Sequence, residues 1–455
     1  MQAMATIDRD RVEQLTRKME DALRARTTRS GDFAVQARAV LPGGVASSFQ
    51  DVKPYPIYVV EGQGSRLRDL DGNEYTDYHA GFGVMVMGHA HPLITEAIAE
   101  AAARGTHFAA PNETSVRVAG ELVRRYLLPK VRFSNSGSEA TLDAVRLARG
   151  FTGKDKIIKI EGSYHGHHDA VMVSVHPDPT KIGSREHPEP VPQTGGIPHA
   201  TIADTLIVPF NDADALETLL TDNPDVGTMI MEPIMLNIGV VEPQPGYLEA
   251  VREITARHEV VLIFDEVKTG NTVAAGGAVE RYGVLPDLVA LAKSTGGGTP
   301  IGAVLGTEEI MAQITEGRVL QLGTFNGNPL SMAAAEAALL HVMDEAAYGR
   351  LEEAGSRIVN SCQEVCDRYG LPAYAVGLAA KGCVMFAAQR VTDYRTYAEY
   401  FDDDLNYLAW LYHMNNGVYM TPGGDEQWTL SIAHSDQELD HFAAVFAEFA
   451  REVTT

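Results

Sequence analysis

Residues 260–266 read Val-Val-Leu-Ile-Phe-Asp-Glu, an unbroken apolar run that ends in two acids. Such a run predicts a strand covered on both faces, as in a parallel sheet flanked by helices. Ligands of open α/β sheets lie outside the carboxyl ends of the strands. Asp265 is therefore expected at the mouth of a crevice, where it could bind a metal, orient a histidine or pair with a protonated ring nitrogen. The alternative is a strand-end cap or a plain ion pair.

Further short apolar runs alternate with amphipathic segments between about residues 110 and 330, which is the pattern of βαβ units. The fold class is therefore α/β, with a mostly parallel sheet flanked by helices. Residues 175–201 are rich in proline and predict a long surface loop, and residues 8–40 predict a helical arm. The predicted strands are Lys156–Ile160, Thr205–Val208, Thr228–Met231, Val260–Phe264, Leu288–Ala292 and Ala303–Leu305.

Composition narrows the class of protein. The chain has 455 residues and a formal net charge of −24, which argues against nucleic acid as a general partner. No apolar run is long enough for a membrane span, and the charged first residues do not resemble a secretion signal. Three cysteines are too few for a disulfide framework and are expected to be reduced thiols. A cytoplasmic protein is expected, with no membrane partner.

Lys293 closes another apolar run, in LVALAKSTGGG (288–298), about one βαβ length after Asp265. A lysine in apolar surroundings has a lowered pKa and becomes a nucleophile toward an aldehyde. The three glycines that follow allow the backbone to pass close to a ligand. The alternative is a lysine that extends its ammonium to solvent beside a flexible turn.

Asn135-Ser136-Gly137-Ser138-Glu139 stands between an apolar approach and the predicted helix Ala140–Arg149. Hydroxyls, a glycine and the free N–H groups of a first helical turn together make a phosphate cradle. Plain N-capping by one of the serines is the alternative interpretation.

The segment Tyr164-His165-Gly166-His167-His168-Asp169 combines an aromatic ring with three histidines. Metal binding is one interpretation, but no helical i, i+4 pair or CxxC spacing accompanies it, so no metal site is predicted. A ring at a βα turn that stacks on a planar cofactor is the better interpretation of Tyr164.

A phosphate cradle, a stacking ring, a strand-end aspartate and a strand-end lysine in this order are the groups that pyridoxal phosphate needs. The chain resembles the class III pyridoxal-phosphate aminotransferases of fold-type I, and within them most closely the glutamate-1-semialdehyde 2,1-aminomutase branch. The segments that carry the resemblance include GHAHP (88–92), FSNSGSEATLDAVRLARG (133–150), EGSYHGHHD (161–169), LIFDEVKTG (262–270), LAKSTGGGTPIGA (291–303) and GTFNGNPLSMAA (323–334).

The resemblance implies a large pyridoxal-phosphate-binding domain (76–333) and a smaller α+β domain formed by residues 1–75, which include the arm, and 334–455. It also implies a role for each matching residue. Ser136, Gly137 and Ser138 would hold the phosphate, Tyr164 would stack on the ring, and Val267 would pack beneath it. Asp265 would pair with the ring nitrogen, with His165 one layer behind, and Lys293 would form the Schiff base. Glu232 and Asn237 would line the ring edge. Thr324 would reach the phosphate of a neighbouring subunit, which implies a homodimer with shared sites.

The sequence departs from the aminomutase branch where substrate would bind. After PGGV that branch has asparagine, serine, proline, an aliphatic residue and an arginine that grips the substrate carboxylate, whereas this chain has Ala-Ser-Ser-Phe and then Gln50. Glutamine cannot offer the charged, bidentate fork of arginine, and Lys268 and Arg281 are candidates to replace it. Phe82 replaces a tryptophan, Trp428 replaces a small residue, and Glu426 matches a pocket glutamate. With Ser47, these residues form the predicted substrate site.

The favoured hypothesis is a transaminase that moves an amino group from an amine or a β- or ω-amino acid to a keto acid, pyruvate or 2-oxoglutarate. The first alternative is glutamate-1-semialdehyde 2,1-aminomutase, an intramolecular amino transfer. A second alternative is a cofactor-binding protein without turnover, or a metal-dependent hydrolase built on His165, His167 and His168.

Overall fold

A computed structural model of the chain describes residues 7–454. The strands are β1 (Val59–Gln63), β2 (Arg66–Asp69), β3 (Glu74–Asp77), β4 (Lys130–Ser134), β5 (Lys156–Ile160), β6 (Thr205–Val208), β7 (Val226–Met231), β8 (Val261–Asp265), β9 (Leu288–Leu291), β10 (Gly302–Gly306), β11 (Tyr374–Leu378), β12 (Lys381–Met385), β13 (Val418–Tyr419) and β14 (Trp428–Thr429).

The helices flank these strands. They are α1 (Arg9–Arg26), α2 (Thr28–Ala37), α3 (Ala80–Gly83), α4 (Pro92–Arg104), α5 (Glu113–Tyr126), α6 (Gly137–Thr152), α7 (His199–Ala203), α8 (Ala213–Asp222), α9 (Tyr247–Arg257), α10 (Gly277–Tyr282), α11 (Glu308–Thr315), α12 (Pro329–Glu336), α13 (Glu345–Tyr369), α14 (Tyr394–Tyr400), α15 (Asp403–Asn415) and α16 (Asp436–Thr454). A π-helical turn, Ala337–Val342, follows α12.

A seven-stranded sheet with the order β4-β10-β9-β8-β7-β5-β6 forms the centre of the molecule. Its β9-β8-β7-β5-β6 part is parallel, while β10 runs antiparallel to both β4 and β9. Every residue of β7, β8, β9 and β10 is buried, because helices cover both faces. The predicted α/β fold with a mostly parallel sheet is confirmed, and the predicted strands agree with the observed ones within about two residues.

Two small sheets bring the two ends of the chain together. β13 pairs in parallel with β3, so that residues near 418 join the N-terminal sheet β1-β2-β3-β13. The other sheet has the order β11-β12-β14. A second apolar core, distinct from that around the large sheet, lies among α1, α13, α15 and α16. The domain boundaries at residues 75 and 333 stay a prediction.

The N-terminal arm predicted for residues 8–40 is helical and consists of two helices, α1 and α2. It is broken at Thr27, whose hydroxyl donates to the carbonyl of Leu23 and lies 3.0 Å from the Tyr55 hydroxyl. The predicted loop of residues 175–201 has no helix or strand before α7. Cys362, Cys366 and Cys383 are free and buried. Within residues 7–454, no helix combines the length and apolar character needed to cross a bilayer.

Candidate active site

A cavity of about 430 Å³ opens at the carboxyl ends of the parallel strands, where the order of the sheet places the ends of β5, β8 and β9 beside the start of α6. Most of the residues that the sequence predicts for a cofactor site line it. These are Ser136, Gly137, Ser138, Tyr164, His165, Glu232, Asn237, Asp265, Val267 and Lys293, together with the predicted substrate residue Phe82. Positions far apart in the chain therefore meet in one concave site.

Lys293 follows β9 directly and has a left-handed backbone, with φ of 46°. A positive φ is unusual for a residue with a side chain and is found at functional sites. Burial and, to a smaller extent, the ammonium of Lys268 lower the pKa of Lys293 to about 7, against the opposing charge of Glu426. The amine is therefore uncharged over much of the neutral range and available as a nucleophile.

Asp265 ends β8 and is held from two sides. Its Oδ2 lies 2.8 Å from Nδ1 of His165, and its Oδ1 accepts the backbone N–H of Val267 at 2.9 Å. On its other side, His165 contacts the Ser163 hydroxyl through Nε2 at 2.9 Å. Burial lowers the pKa of His165, although the neighbouring Asp265 opposes that shift. The carboxylate is fixed in orientation at the cavity wall, with the histidine behind it.

The structure at the start of α6 agrees with both interpretations of the Asn135–Glu139 segment, the N-cap and the phosphate cradle. The Ser136 hydroxyl accepts the backbone N–H of Glu139 at 3.2 Å, which is an ordinary N-cap. Ser136, Gly137 and Ser138 also line the cavity, so the positive end of the helix dipole faces it. A Cβ on Gly137 would lie 3.0 Å from Val267 Cγ1, and one on Gly166 would lie 2.6 Å from Ser138 Oγ. Neither Gly137 nor Gly166 therefore has room for a side chain.

Glu232 forms three hydrogen bonds with neighbouring residues of the cavity wall, next to Tyr164. Its carboxylate accepts the side-chain amide of Asn237 at 2.6 Å and the backbone N–H groups of Tyr164 and Leu236, each at 3.2 Å. Burial raises the pKa of Glu232 to about 7, although the ammonium of Lys268 opposes the shift. Glu232 therefore ties the Tyr164 backbone to the segment after β7.

Phe82 reaches the cavity through a run of left-handed residues. Ala80, Gly81, Phe82 and Gly83 all have φ between 47° and 84°. The ring of Phe82 lies 4.1 Å from that of His79 and 5.6 Å from that of Phe49, measured between centroids. A side chain on Gly83 would clash with the ammonium of Lys381, which explains the glycine there.

The structure does not bring the other predicted substrate residues to the cavity wall. Ser47 and Gln50 are exposed, because the Gln50 amide oxygen accepts the backbone N–H groups of Ala46 and Ser47 at 3.2 and 3.3 Å. Trp428 is fully buried against Phe442, with ring centroids 5.5 Å apart.

Glu426 is also buried and absent from the cavity lining. It is held between two ammonium groups, those of Lys268 at 2.7 Å and Lys381 at 2.9 Å. Arg281, one candidate to replace the missing arginine, pairs instead with Glu352 at 3.1 Å and does not line the cavity.

Thr324 lies in a different concavity, of about 590 Å³, lined by residues around 107–112 and 321–329. It is exposed there, near the exposed side chains of Leu322 and Phe325. One hydrogen bond, from the Asn135 side chain to Asn326 at 2.9 Å, joins this face to the turn before α6. Within one chain, Thr324 is therefore not part of the cavity wall.

Several cavity residues have no place in the predicted site, among them Phe49 and Asp425. Phe49 lines the cavity and makes an edge contact with Tyr164 at 5.6 Å, and Asp425 lines it from the turn before β14. Lys268, weighed only as a substitute for the missing arginine, also lines it. Its position three residues after Asp265 was a usable signal, since side chains just past a strand end face the crevice. No sequence pattern points to Phe49 or Asp425.

A metal-centred interpretation receives no support from the geometry. Among residues 7–454, no group of three or more histidine, cysteine or acidic side chains could hold a metal ion. His165 faces Asp265 and Ser163, while the Nε2 of His168 lies 3.4 Å from the Thr141 hydroxyl.

The donor set fits pyridoxal phosphate. The helix terminus offers N–H groups and hydroxyls to a phosphate, and Asp265 offers a fixed carboxylate to a ring nitrogen. Lys293 offers a largely uncharged amine to the aldehyde. The fold and this cavity thus define a pyridoxal-phosphate enzyme of fold-type I.

Comparisons with known proteins agree with that class. The model of the family "Aminotransferase class-III" matches residues 48–429. Glutamate-1-semialdehyde 2,1-aminomutase from Methanosphaera stadtmanae is 41% identical over 416 residues, 90% of this chain and 96% of that protein. An omega-transaminase from Sphaerobacter thermophilus has a TM-score of 0.89 at 33% identity, with 94% of this chain and 98% of that chain covered.

A third relative has a similar structure. A glutamate-1-semialdehyde aminomutase from Pseudomonas aeruginosa PAO1, a lysine-to-alanine variant in complex with PMP, has a TM-score of 0.90 at 28% identity, with 98% of this chain and 99% of that chain covered. The chain belongs to the class-III aminotransferase family and is a pyridoxal-phosphate-dependent enzyme.

Proposed function

We propose that the chain is an aminotransferase that moves an amino group from an amine or a β- or ω-amino acid donor to a keto acid such as pyruvate or 2-oxoglutarate. The observation that carries this proposal is the position of Gln50, which folds back on the backbone of residues 46 and 47 instead of facing the cavity. A substrate with the carboxylate pattern of glutamate-1-semialdehyde would find no guanidinium there.

The bound cofactor supplies an aldehyde and a ring that draws electrons from the substrate's reacting carbon. In the proposed roles, Asp265 keeps the ring nitrogen protonated and His165 holds that carboxylate in place. Ser136, Gly137 and Ser138 bind the phosphate, while Tyr164 and Val267 pack against the ring. Lys293 Nζ takes the substrate's proton and returns it, which suits an amine whose pKa of about 7 lies close to neutral pH.

Glu232 and Asn237 complete the proposed cofactor site. Their mutual hydrogen bond at 2.6 Å holds the carboxylate at the cavity wall, next to the backbone N–H of Tyr164. In the proposal this pair borders the ring edge and orients Tyr164. Phe82 lines the same cavity and belongs to the proposed substrate site.

A homodimer is part of the proposal. Thr324 lies on a face with exposed Leu320, Leu322 and Phe325, whose side chains are 57% to 80% accessible. An apolar face of this kind on a soluble chain is typical of an interface, and a second copy would bury it. The hydrogen bond from Asn135 to Asn326 joins this face to the turn before α6, which supports an interface close to the phosphate site. Thr324 of one subunit would then complete the phosphate site of the other.

An aminomutase is the second candidate, and the names of the curated relatives favour it over a generic aminotransferase. Those relatives are about 40% identical over 90% of this chain. In that case the amino group would return to the same substrate molecule and no keto acid acceptor would be needed.

Acceptor dependence separates the two candidates. The purified holoenzyme is incubated with a panel of amine donors, with and without pyruvate, and alanine formation is measured. Alanine formed only when both substrates are present supports the aminotransferase. Conversion of glutamate-1-semialdehyde to 5-aminolevulinate without an acceptor, and no alanine across the panel, would decide for the aminomutase.

The role of position 50 is tested by Gln50→Arg, with the exposed Gln36→Arg as the matched control. Arginine has no oxygen to accept the backbone N–H groups that hold Gln50 back, and the neighbouring Phe49 lines the cavity, so the longer side chain is expected to turn toward the substrate. It should raise kcat/KM for dicarboxylic substrates about tenfold relative to simple amines, since a charged bidentate contact contributes about 1.5–3 kcal/mol. The same shift in both variants would show that added surface charge is responsible and that position 50 is not.

A further inference from the structure

Four charged side chains, three of them buried and one half-buried, form a cluster at one wall of the cavity. Lys268 contacts Asp425 Oδ1 at 2.8 Å and Glu426 Oε2 at 2.7 Å. Glu426 Oε1 in turn contacts Lys381 at 2.9 Å. Two of the four, Lys268 and Asp425, line the cavity, while the other two stand behind them. The cluster balances two ammonium groups against two carboxylates.

Lys268 has no donor left for a substrate. An ammonium offers three N–H groups, and those of Lys268 are taken by Asp425, Glu426 and the carbonyl of Leu236, the last at 2.7 Å. Burial lowers the pKa of Lys268, but the carboxylates of Asp425 and Glu426 outweigh burial and raise it overall, so the lysine stays charged. A substrate carboxylate could bind Lys268 only by displacing one of these partners.

No other lysine or arginine of the described chain is available in the cavity to bind a substrate carboxylate in place of Lys268. Of the lysine and arginine side chains among residues 7–454, only Lys268 and Lys293 line the cavity. Lys293 is needed for the cofactor aldehyde. An anionic donor tail would therefore enter a cavity whose one remaining ammonium is already shared by two carboxylates. The carboxylate of Asp265 also lines this cavity, as does Glu232, which is partly ionised near neutral pH because burial raises its pKa to about 7.

Asp425 differs from Lys268 because one of its two carboxylate oxygens is not used by a protein partner. Its Oδ1 accepts from Lys268, and no residue among 7–454 forms a hydrogen bond with its Oδ2. The side chain is 20% exposed and lines the cavity. A carboxylate with an unused oxygen at the wall of a partly desolvated cavity attracts an ammonium and repels another carboxylate.

Other parts of the cavity that Asp425 lines are apolar and aromatic. Phe49 and Phe82 line the same cavity with ring centroids 5.6 Å apart, and Val84 and Ile301 add aliphatic surface. Such a wall packs against a methylene chain and also attracts a cation through the ring faces.

We propose that Asp425 binds the second ammonium group of a diamine donor, whose carbon chain packs against Phe49 and Phe82. This inference rests on the proposed aminotransferase function and narrows its donor class from amines and amino acids to amines with a distal cation. In this arrangement Lys268 binds one oxygen of Asp425 and leaves the other for the donor, so that its ammonium competes with the donor's for the charge of the same carboxylate.

The test compares three donors of equal chain length in the holoenzyme, with pyruvate as acceptor. They are 1,4-diaminobutane, 1-aminobutane and 4-aminobutanoate, and longer and shorter sets are run in parallel. We expect kcat/KM for the best diamine to exceed that of its monoamine about tenfold, which corresponds to about 1.4 kcal/mol, and the amino acid to be the poorest of the three.

Variants at the cluster give opposite expectations. The diamine-to-monoamine ratio should fall about tenfold in Asp425→Asn, mainly through KM. It should rise in Lys268→Met, since Asp425 then lacks its protein cation. Asp440→Asn, at an exposed ion pair with Arg357, is the matched control and should leave the ratio unchanged. Both cluster variants must bind cofactor with the wild-type absorbance before they are compared.

The outcomes separate the inference from the proposed function. Preference for 4-aminobutanoate over the diamine, or an unchanged ratio in Asp425→Asn, would overturn the inference while transamination itself stands. If no donor supports alanine formation, the proposed function fails. Calorimetric titration of wild type and Asp425→Asn with 1,4-diaminobutane then still decides whether Asp425 binds a distal ammonium, because weaker binding in the variant supports it and equal binding refutes it.

Discussion

At the scale of single residues, the site depends on one amine kept uncharged. Lys293 ends a buried strand, where burial and the nearby Lys268 ammonium both favour the neutral form. Its left-handed backbone, with φ of 46°, directs the chain into a turn at the cavity wall. The lysine is a nucleophile because its surroundings lower its pKa. An exposed lysine would remain protonated at physiological pH.

The first prediction concerns the pH at which the cofactor-free protein takes up pyridoxal phosphate. Because the pKa of Lys293 is lowered from 10.5 to about 7, its amine is neutral above about pH 7. The rate of uptake should therefore rise with pH through that value and then level off. Stopped-flow absorbance of the bound cofactor measures it. Lys268→Met removes a neighbouring positive charge and should move the midpoint upward.

Lys156→Met is the matched control for this measurement, since Lys156 pairs with Asp225 at the other end of β5. A midpoint near pH 10, or one that Lys268→Met leaves in place, would show that the environment of the cavity does not set the reactivity of Lys293.

At the scale of elements, α6 and the segment after β8 pack closely at Gly137 and Val267. A Cβ on Gly137 would stand 3.0 and 3.1 Å from the two methyl groups of Val267. Contacts that close require one side to move by a few tenths of an ångström. Because both elements line the cofactor cavity, such a shift would spread to the phosphate and ring contacts.

The second prediction compares two glycine substitutions in helices. Gly137→Ala should weaken cofactor binding about tenfold, since it separates the start of α6 from Val267. Gly120→Ala, inside α5 with nothing within 4 Å of the new Cβ, should leave cofactor binding unchanged. It should also raise the free energy of unfolding by about 0.5–1 kcal/mol, because alanine has the higher helix propensity. Absorbance titration and urea denaturation of the cofactor-free protein measure the two quantities. Equal cofactor affinity in both variants would contradict the tight-packing argument.

At the scale of the whole molecule, one chain carries two concavities that are joined through the turn before α6. The cofactor cavity contains Asn135, whose side chain donates to Asn326 in the second concavity. Exposed Phe108 and Leu322 line that second concavity, and exposed Phe325 contacts its lining residue His107, with ring centroids 5.0 Å apart. The proposed dimer would cover these apolar side chains and bring Thr324 to the partner's phosphate site.

The third prediction is complementation between inactive and impaired subunits. Lys293→Ala alone should be inactive and Thr324→Ala alone impaired. A heterodimer of the two has one site with the intact Lys293 of one subunit and the intact Thr324 of the other. Co-expressed and separated by tags, it should recover about half of the wild-type kcat per dimer, since one of its two sites is intact. Activity no higher than that of Thr324→Ala would contradict shared sites.

The fourth prediction concerns the interface itself. Leu322→Asp should convert the dimer to a monomer, because it places a charge in the apolar face. Leu285→Asp, at an exposed leucine outside that face, is the control and should leave the mass unchanged. Light scattering after gel filtration measures the mass of each variant. A monomeric wild-type protein would remove the basis for both dimer predictions.

Much of the cofactor site can be predicted from the sequence because its residues follow strand ends. Asp265 and Lys293 each close an apolar run, and the cradle begins a helix, so sheet geometry alone brings them to one edge. The substrate side is different. Phe49 and Asp425 come from short turns outside the central sheet, and no periodic pattern places such turns over the crevice.

The sequence by itself determined the α/β fold, the mostly parallel sheet and the groups for pyridoxal phosphate, since these depend on local apolar runs and on spacing. Only the tertiary structure decided that Gln50 is at the surface, that Trp428 is packed against Phe442, and that Lys268 is bound by Asp425. The last pair is separated by 157 positions in the chain. Whether a charged side chain is free or neutralised depends on partners that are distant in the sequence. The residues next to it in the sequence do not indicate which partners those are.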